Sequence, residues 1–513
     1  MSITSRIRPS LAGAPPIIGR VTADAADLDQ TSEIITIGQR GRAAIIQLAL
    51  RTGLLRVITL VGTVLLARIL APADFGAFAV IALLAGALSP FGELGLGATL
   101  IQRREPPSEI DLATAFTAQQ VAWLVLLALA WLAAPLIHLI GSGLPADIDW
   151  MIRAAALAVY LNQLRSVPTA MMSRVLRFGP LAAIEVVQQV AYVVVAVGAA
   201  LAGAGVWSFV FGLLVQFSLG SLLTYVAWGR RPRLGLDRVA LRGLLGFGVT
   251  FQAANILNVL REALVPIYGG LAGGLAGIGY LNFGQRFGRL LGGIEEIVGR
   301  VAFPAFSRLQ ADAERRALAL LHVVETTSVV FGLLLGWAIA VAPTLVEVVF
   351  SATWLPAVPV FQLMAVSVLI GLPAGFMRGL AFSTGHARPI LLWTINSLLV
   401  SFAVFPVLVI ALGLTGGGIG FVVHAALQLF GFARATHAIA PFPWPRLARI
   451  YLIAAAAGAC AAASLFVMGG LPGLVLSGLV ALAAYAVLML IFEREQVGRS
   501  WRLVRGDVSL EAA

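Results

Sequence analysis

At 513 residues the chain is long enough for several soluble domains, but 60% hydrophobic against 12% charged residues means that most of it is solvated by lipid. A formal net charge of +11 would suit nucleic acid if it formed one basic face; here the arginines are scattered among short loops, and nucleic acid is not an expected partner. All 35 basic residues are arginine, which excludes Schiff-base chemistry and a lysine-bearing phosphate loop.

Residues 1–43 read as a flexible cytosolic tail, polar, with Pro15-Pro16 and the acidic Asp24, Asp27, Asp29 and Glu33. The tail lacks the short apolar core and small-residue cleavage site of a signal peptide, so the first membrane helix directs insertion. From residue 44 onward apolar runs of about twenty residues recur, each about long enough to cross a hydrocarbon core of ~30 Å as a helix. Spans are expected at 44–70, 75–100, 113–140, 150–170, 180–202 and 205–228, an N-terminal six-helix lobe over 44–228. A basic cytosolic linker, 229–243, leads to a C-terminal six-helix lobe over 244–440, with spans at 244–269, 275–300, 318–350, 358–382, 389–412 and 416–440. Two additional helices, 446–468 and 471–492, fill 441–492, and 493–513 is a second cytosolic tail. Runs such as 124–134 and 453–467 are apolar on nearly every face, unlike the alternating segments of a membrane β-barrel. The expected fold is all-α: a polytopic membrane protein of about fourteen transmembrane helices, two six-helix lobes around a central cavity plus two C-terminal helices. The single cysteine, Cys460, lies in an alanine-rich run and reads as core packing.

Short loops kept in the cytosol accumulate arginine. Arg103-Arg104, Arg174 and Arg177, the stretch 230–242, the stretch 308–316, Arg388, and Arg446 with Arg449 fall in alternate loops, and 494–505 follows the last span. The intervening loops 71–74, 141–149, 203–204, 270–274, 351–357, 413–415 and 469–470 carry none, with Arg68 and Arg153 the nearest exceptions. This alternation expects an even number of crossings and both termini in the cytosol. A loose repeat pairs 70–76 with 271–277, 167–170 with 372–375, and 203–207 with 416–420. Duplication of a six-helix unit would explain it, and so would chance in a sequence rich in alanine, glycine and leucine.

A charge at mid-bilayer costs at least about 2.5–3.5 kcal/mol on insertion scales, so such residues face a bundle interior or an aqueous cavity. Arg56, Arg261 and Arg286 are the best-placed candidates to line a cationic cavity and bind substrate, since guanidinium holds phosphate bidentately. Arg51, Arg289 and Arg378, nearer the expected helix ends, either join them or snorkel to the interface. Arg261 and Glu262 project about 100° apart on a helix, so a mutual ion pair is not the obvious explanation for them. Glu185, Gln188 and Gln189 make one polar stripe at i, i+3 and i+4, suited to sugar hydroxyls; Glu185 is alternatively a proton-exchanging or a solvated carboxylate. Glu93 and Glu262 are candidates for ion coupling, with a structural hydrogen bond to glycine-loosened backbone the other explanation for Glu93. Glu325 and His322 are further coupling candidates, His322 with an interfacial place as its alternative. Trp123, Trp131, Trp207, Trp337 and Trp354 either stack on sugars or, by default, form an interfacial belt. No catalytic constellation, cofactor motif or metal-ligand cluster emerges, and the five histidines are scattered; an enzyme, a cofactor and a metal are not expected.

Four motifs carry a family resemblance: 92–103 (GELGLGATLIQR), 176–178 (LRF), 303–310 (FPAFSRLQ) and 354–359 (WLPAVP). Over roughly 45–440 the chain resembles the polysaccharide transporters, Wzx-like lipid-linked oligosaccharide flippases, of the multidrug/oligosaccharidyl-lipid/polysaccharide exporter superfamily. The resemblance implies two six-helix lobes around a cationic cavity in the bacterial inner membrane. It also implies a flippase or exporter of polyprenyl-pyrophosphate-linked oligosaccharide repeat units for exopolysaccharide, capsule or lipopolysaccharide O-antigen. Membrane lipids and other polysaccharide-assembly proteins are its expected partners. A cation-coupled drug exporter of the same superfamily, and a membrane scaffold or glycan polymerase, are the competing expectations.

Overall fold

With no water to pair backbone groups in the hydrocarbon layer, an apolar chain must close its hydrogen bonds within helices. The computed structural model describes residues 51–494 other than 103–104, 140–142, 176, 232, 309–312, 438–441 and 443, and contains no strand among them. Side chains at 245–258, 261, 288–297 and several positions near 300–313 lie outside that description, as do the expected tail 1–43 and most of 493–513. The chain divides into two units, Met1–Arg56 and Val57–Ala513. Of the first, residues 51–56 are described; they are helical, with Arg51 and Arg56 half-buried.

In chain order the helices are α1 (Arg51–Ile69), α2 (Pro72–Gly86), α3 (Ser89–Glu93), α4 (Leu96–Gln102), α5 (Glu109–Ala133), α6 (Ile148–Gln163), α7 (Ser166–Arg174) and α8 (Phe178–Leu201). There follow α9 (Trp207–Trp228), α10 (Arg238–Arg308), α11 (Ala313–Ala340), α12 (Ala342–Val349), α13 (Val358–Ser383), α14 (Ala387–Thr436), α15 (Trp444–Ser464) and α16 (Gly470–Phe492). Eleven helical stretches among the described residues are long and apolar enough to cross a membrane. Two of them reverse direction. Gly269 and Gly277–Ile278 would stand ~12 Å apart or more in a continuous helix; instead a Cβ on Gly269 would meet Ile278 Cα at 2.6 Å. The turn is Gly273–Gly274, where Gly274 takes φ 60°. Gly413, at φ 59°, folds α14 in the same way, bringing Gly416 against the Leu408 carbonyl.

Several spans expected to be continuous are broken. The stretch 75–100 becomes α2, α3 and α4, interrupted at Leu94 (φ 51°) and Gly95 (φ 66°), and 318–350 breaks at Val341 ahead of Pro343. Proline explains most of these breaks and the side chains around them. A helical proline cannot bond the carbonyl four residues earlier, and five such carbonyls accept a side chain instead. Arg153 Nε donates to Trp131 O, freed by Pro135, at 3.2 Å. The Tyr225 hydroxyl donates to Leu164 O, freed by Pro168, at 2.6 Å, and Gln362 Nε2 to Ile339 O, freed by Pro343, at 2.9 Å. Tyr451 serves Leu369 O ahead of Pro373 at 2.7 Å, and Tyr268 serves Phe402 O ahead of Pro406 at 3.0 Å. These donors satisfy groups that lipid could not.

Within the second unit α8 and α9 pack side by side, with Gly212 under the Tyr192 ring. Helix α13 packs on α10 and α14, and α15 on α11, where Gly336 and Gly458 bring the two backbones together. Glu325 of α11, 3% exposed at its side chain, is paired with Arg446 of α15 at 3.2 Å, so this coupling candidate holds two helices together. Cys460, expected in the core, is exposed on α15; on a helix wrapped by lipid an apolar outward side chain is no anomaly.

Candidate functional site

Among the described residues the loops bearing Arg174, Arg230 and Arg233 meet at Glu105 and Glu109, while the arginine-free loops 141–149 and 203–204 meet through Asp147 and Trp207. At the arginine-poor end α2 and the second arm of α10 meet by a reciprocal contact. A Cβ on Gly76 would lie 1.8 Å from the Leu275 carbonyl oxygen, and a Cβ on Gly279 would lie 1.9 Å from that of Pro72. Only glycine permits backbones to approach so closely. Trp354, fully buried, plugs the same place: its ring packs on Phe75, Phe283 and Tyr280, and Nε1 donates to Ala67 O at 2.8 Å. Arg68 donates to the carbonyls of Val348 and Val349, the last of α12, where a cation also suits the helix dipole. Trp123 and Trp354, fully buried, thus depart from the expected interfacial belt, and Trp337 donates to Ser477 Oγ and Trp207 to Asp147, whereas Trp131 is exposed.

About one turn further along α2 a cavity of about 360 Å³ opens between α2 and both arms of α10. Apolar residues of α2, among them Ala79 and Leu83, form one wall; Glu262, Asn282, Gln285 and Arg286 of α10 supply the polar one. Asn282 and Arg286 face the same way because they are four residues apart, and Arg286 Nε donates to Asn282 Oδ1 at 2.9 Å. The guanidinium also lies 6.0 and 5.9 Å from the ring centroids of Phe75 and Phe78, within cation–π reach. The cavity wall is therefore a cation and a carboxylate among amides, chemistry suited to a headgroup with both anionic and hydroxyl groups.

The expected site residues separate into groups. Glu262 and Arg286 share the cavity; Arg56 is half-buried on α1, at the last residue of the first unit; Arg261 and Arg289 fall outside the described side chains. The stripe on α8 does not line this cavity. Gln188 is buried and accepts from Arg165 Nη1 at 2.9 Å, and Gln189 accepts from Gln216 Nε2 at 3.0 Å, while Glu185 is half-buried beside them. Glu93 accepts from Gln163 Nε2 at 3.3 Å, a structural hydrogen bond next to the break at Leu94. Arg165, which also donates to Asn162 Oδ1 at 3.0 Å, was not anticipated as a polar centre. Gly220 of α9 leaves it room, since a Cβ there would meet Gln188 Oε1 at 2.0 Å. The clue in the sequence is the cluster Asn162, Gln163, Arg165, Ser166 ahead of Pro168.

A family model described as "Polysaccharide biosynthesis protein" matches residues 65–359. The chain belongs to this polysaccharide biosynthesis family. The family is Wzx-like, and its members are transport proteins rather than enzymes. The chain is 26% identical to "Succinoglycan biosynthesis transport protein ExoT" of Rhizobium meliloti (strain 1021), covering 64% of this chain and 67% of that protein. It is 26% identical to "Lipopolysaccharide biosynthesis protein WzxC" of Escherichia coli (strain K12), covering 62% of this chain and 65%, just under two thirds, of that one. Among solved structures it resembles "Lipid II flippase MurJ, inward closed conformation", with a TM-score of 0.71 at 13% identity over 88% of this chain and all of that one. An inward-facing MATE-family multidrug resistance transporter follows at a TM-score of 0.58 and 15% identity, over 75% and 94% of the two chains. At such identities these likenesses establish the fold alone: an all-helical, multi-pass membrane architecture.

Proposed function

We propose that the protein is a flippase carrying polyprenyl-pyrophosphate-linked oligosaccharide repeat units across the bacterial inner membrane for synthesis of an exported polysaccharide. The observation that carries this reading is Arg286 in the wall of a cavity between α2 and α10, beneath the closed arginine-poor end. Asn282 and the rings of Phe75 and Phe78 help hold the guanidinium inside the span, and pyrophosphate matches its fork of donors. Family membership and the similarity to ExoT and WzxC, named for polysaccharide biosynthesis, support the substrate class.

The architecture follows. Counting both arms of α10 and of α14, and taking α6 with α7 as one broken crossing, raises the eleven apolar stretches to fourteen spans. An even number leaves both termini in the cytosol, the arginine-rich end inward and the closed end exported. The reciprocal Gly76 and Gly279 contact is what a pseudo-twofold between two six-helix lobes would produce, with α15 and α16 added on α11.

The test is transfer of a lipid-pyrophosphate-linked oligosaccharide across proteoliposomes, with Arg286→Ala as the comparison after equal insertion has been checked. Transfer by the native chain and its loss in the variant support the reading. A folded native chain that transfers none of several glycans overturns it. Glu262 in the same cavity favours export of cationic compounds as the second reading, tested by accumulation of a cationic dye in the same vesicles.

A further inference from the structure

A second pocket, of about 420 Å³, opens at the arginine-rich end where α5 and α7 meet the end of α9. Its floor is apolar, with Phe116, Val167 and Trp228, and its rim carries Arg230, Arg231 and Arg233. Among the lining residues Glu109 is the one carboxylate, 3.2 Å from Arg230 and 3.8 Å from Arg233, so the rim keeps an excess of positive charge. The three arginines lie on a strap that is fastened down just beyond them. The Gly235 N–H donates to Thr117 Oγ1 at 2.9 Å and the Asp237 N–H to Thr114 Oγ1 at 3.0 Å, both on α5. This pocket shares no helix with the cavity of Arg286.

We propose that the pocket holds the phosphodiester headgroup of an anionic phospholipid, its acyl chains leaving over the apolar floor. A free anion would gain from the arginines and nothing from Phe116, Val167 and Trp228. A lipid at helix ends uses both, and Trp228, the last residue of α9, stands where a tryptophan suits the headgroup layer. The inference does not rest on the flippase reading and would survive its failure.

The test uses the full chain purified in detergent and offered equal amounts of dioleoylphosphatidylglycerol and dioleoylphosphatidylcholine, with retained lipid read by native mass spectrometry. The native chain and a control lacking three exposed arginines elsewhere (Arg388→Gln, Arg434→Gln, Arg494→Gln) retain phosphatidylglycerol preferentially. The triple variant Arg230→Gln, Arg231→Gln, Arg233→Gln loses about tenfold or more of that preference. Millimolar inorganic phosphate does not raise the melting temperature of the native chain, whereas phosphatidylglycerol does. Undiminished preference in the triple variant, equal loss in the control, or equal protection by inorganic phosphate overturns the proposal. Should the triple variant not fold, Glu109→Gln decides: removing the competing carboxylate strengthens retention, and unchanged or weaker retention counts against the site.

Discussion

The Tyr451 hydroxyl donates to the Leu369 carbonyl at 2.7 Å, and that carbonyl is open to it because Pro373 has no N–H to close the helical turn. The phenol therefore ties α15, one of the last two helices, to the bend of α13. Tyr451→Phe leaves a buried carbonyl unpaired and is expected to cost about 1–3 kcal/mol, read as a lower melting temperature in detergent. In a Pro373→Ala background the helix bonds its own carbonyl again, and the same change should cost less, the remainder being the 3.3 Å contact with Ser328 Oγ. Equal losses in both backgrounds would show that the hydroxyl acts through the buried Ser328 instead.

Gly76→Ala carries the opposite sign from most glycine-to-alanine changes in helices, which gain up to ~1 kcal/mol. Here the added carbon meets the Leu275 carbonyl at 1.8 Å, so α2 must lift off α10. Overpacking of this kind costs about 1–3 kcal/mol. With Ala79→Cys as reporter in a Cys460→Ser chain, an impermeant maleimide added from the exported side should label faster when Gly76 is replaced. Unchanged labelling and unchanged melting would remove the glycine contact from any role in closure.

Arg286→Lys keeps the charge and loses the planar fork, so it separates charge from geometry. Loss of one charge-assisted hydrogen bond is worth about 1.5–3 kcal/mol, so transport should fall roughly ten- to hundredfold with lysine and further with alanine. Initial rates in proteoliposomes measure this, and a lysine variant as fast as the native chain would reduce the arginine to a point charge.

Arg446→Gln strands Glu325, whose side chain is 3% exposed, while Arg446 itself is 43% exposed. Solvent screening on the arginine side lowers the usual cost of breaking a buried pair to about 1–3 kcal/mol. The double variant Glu325→Gln with Arg446→Gln should recover most of the loss, since two amides can bond without charge. A double variant as unstable as the single would refute the pairing.

The apolar runs were legible because lipid imposes one length and one kind of backbone on every span. The turns at Gly273–Gly274 and Gly413 fell where arginine-free, glycine-rich loops were expected. The breaks were less legible, since a proline announces a missing bond but not how its neighbours will respond. Leu94 adopts φ 51° although leucine gives no warning of it. Among the candidate residues, i, i+3, i+4 spacing places Glu185, Gln188 and Gln189 on one helix, but the partners come from elsewhere, Arg165 from the turn between α6 and α7 and Gln216 from α9. Direction around a helix is decided by tertiary neighbours, which one helix's own sequence does not specify. Arg165 was overlooked for that reason, whereas Arg286 and Glu262 stood out as charges deep inside expected spans.

Trp354 gives the molecule an optical property of its own. Its indole is dry, flanked by Phe75 of α2 and Phe283 of α10, and hydrogen-bonded to a backbone carbonyl. Any movement parting those helices admits water to the ring and moves its emission to longer wavelength. With the other tryptophans replaced by phenylalanine, the chain becomes its own fluorescent gauge of whether the exported end is shut.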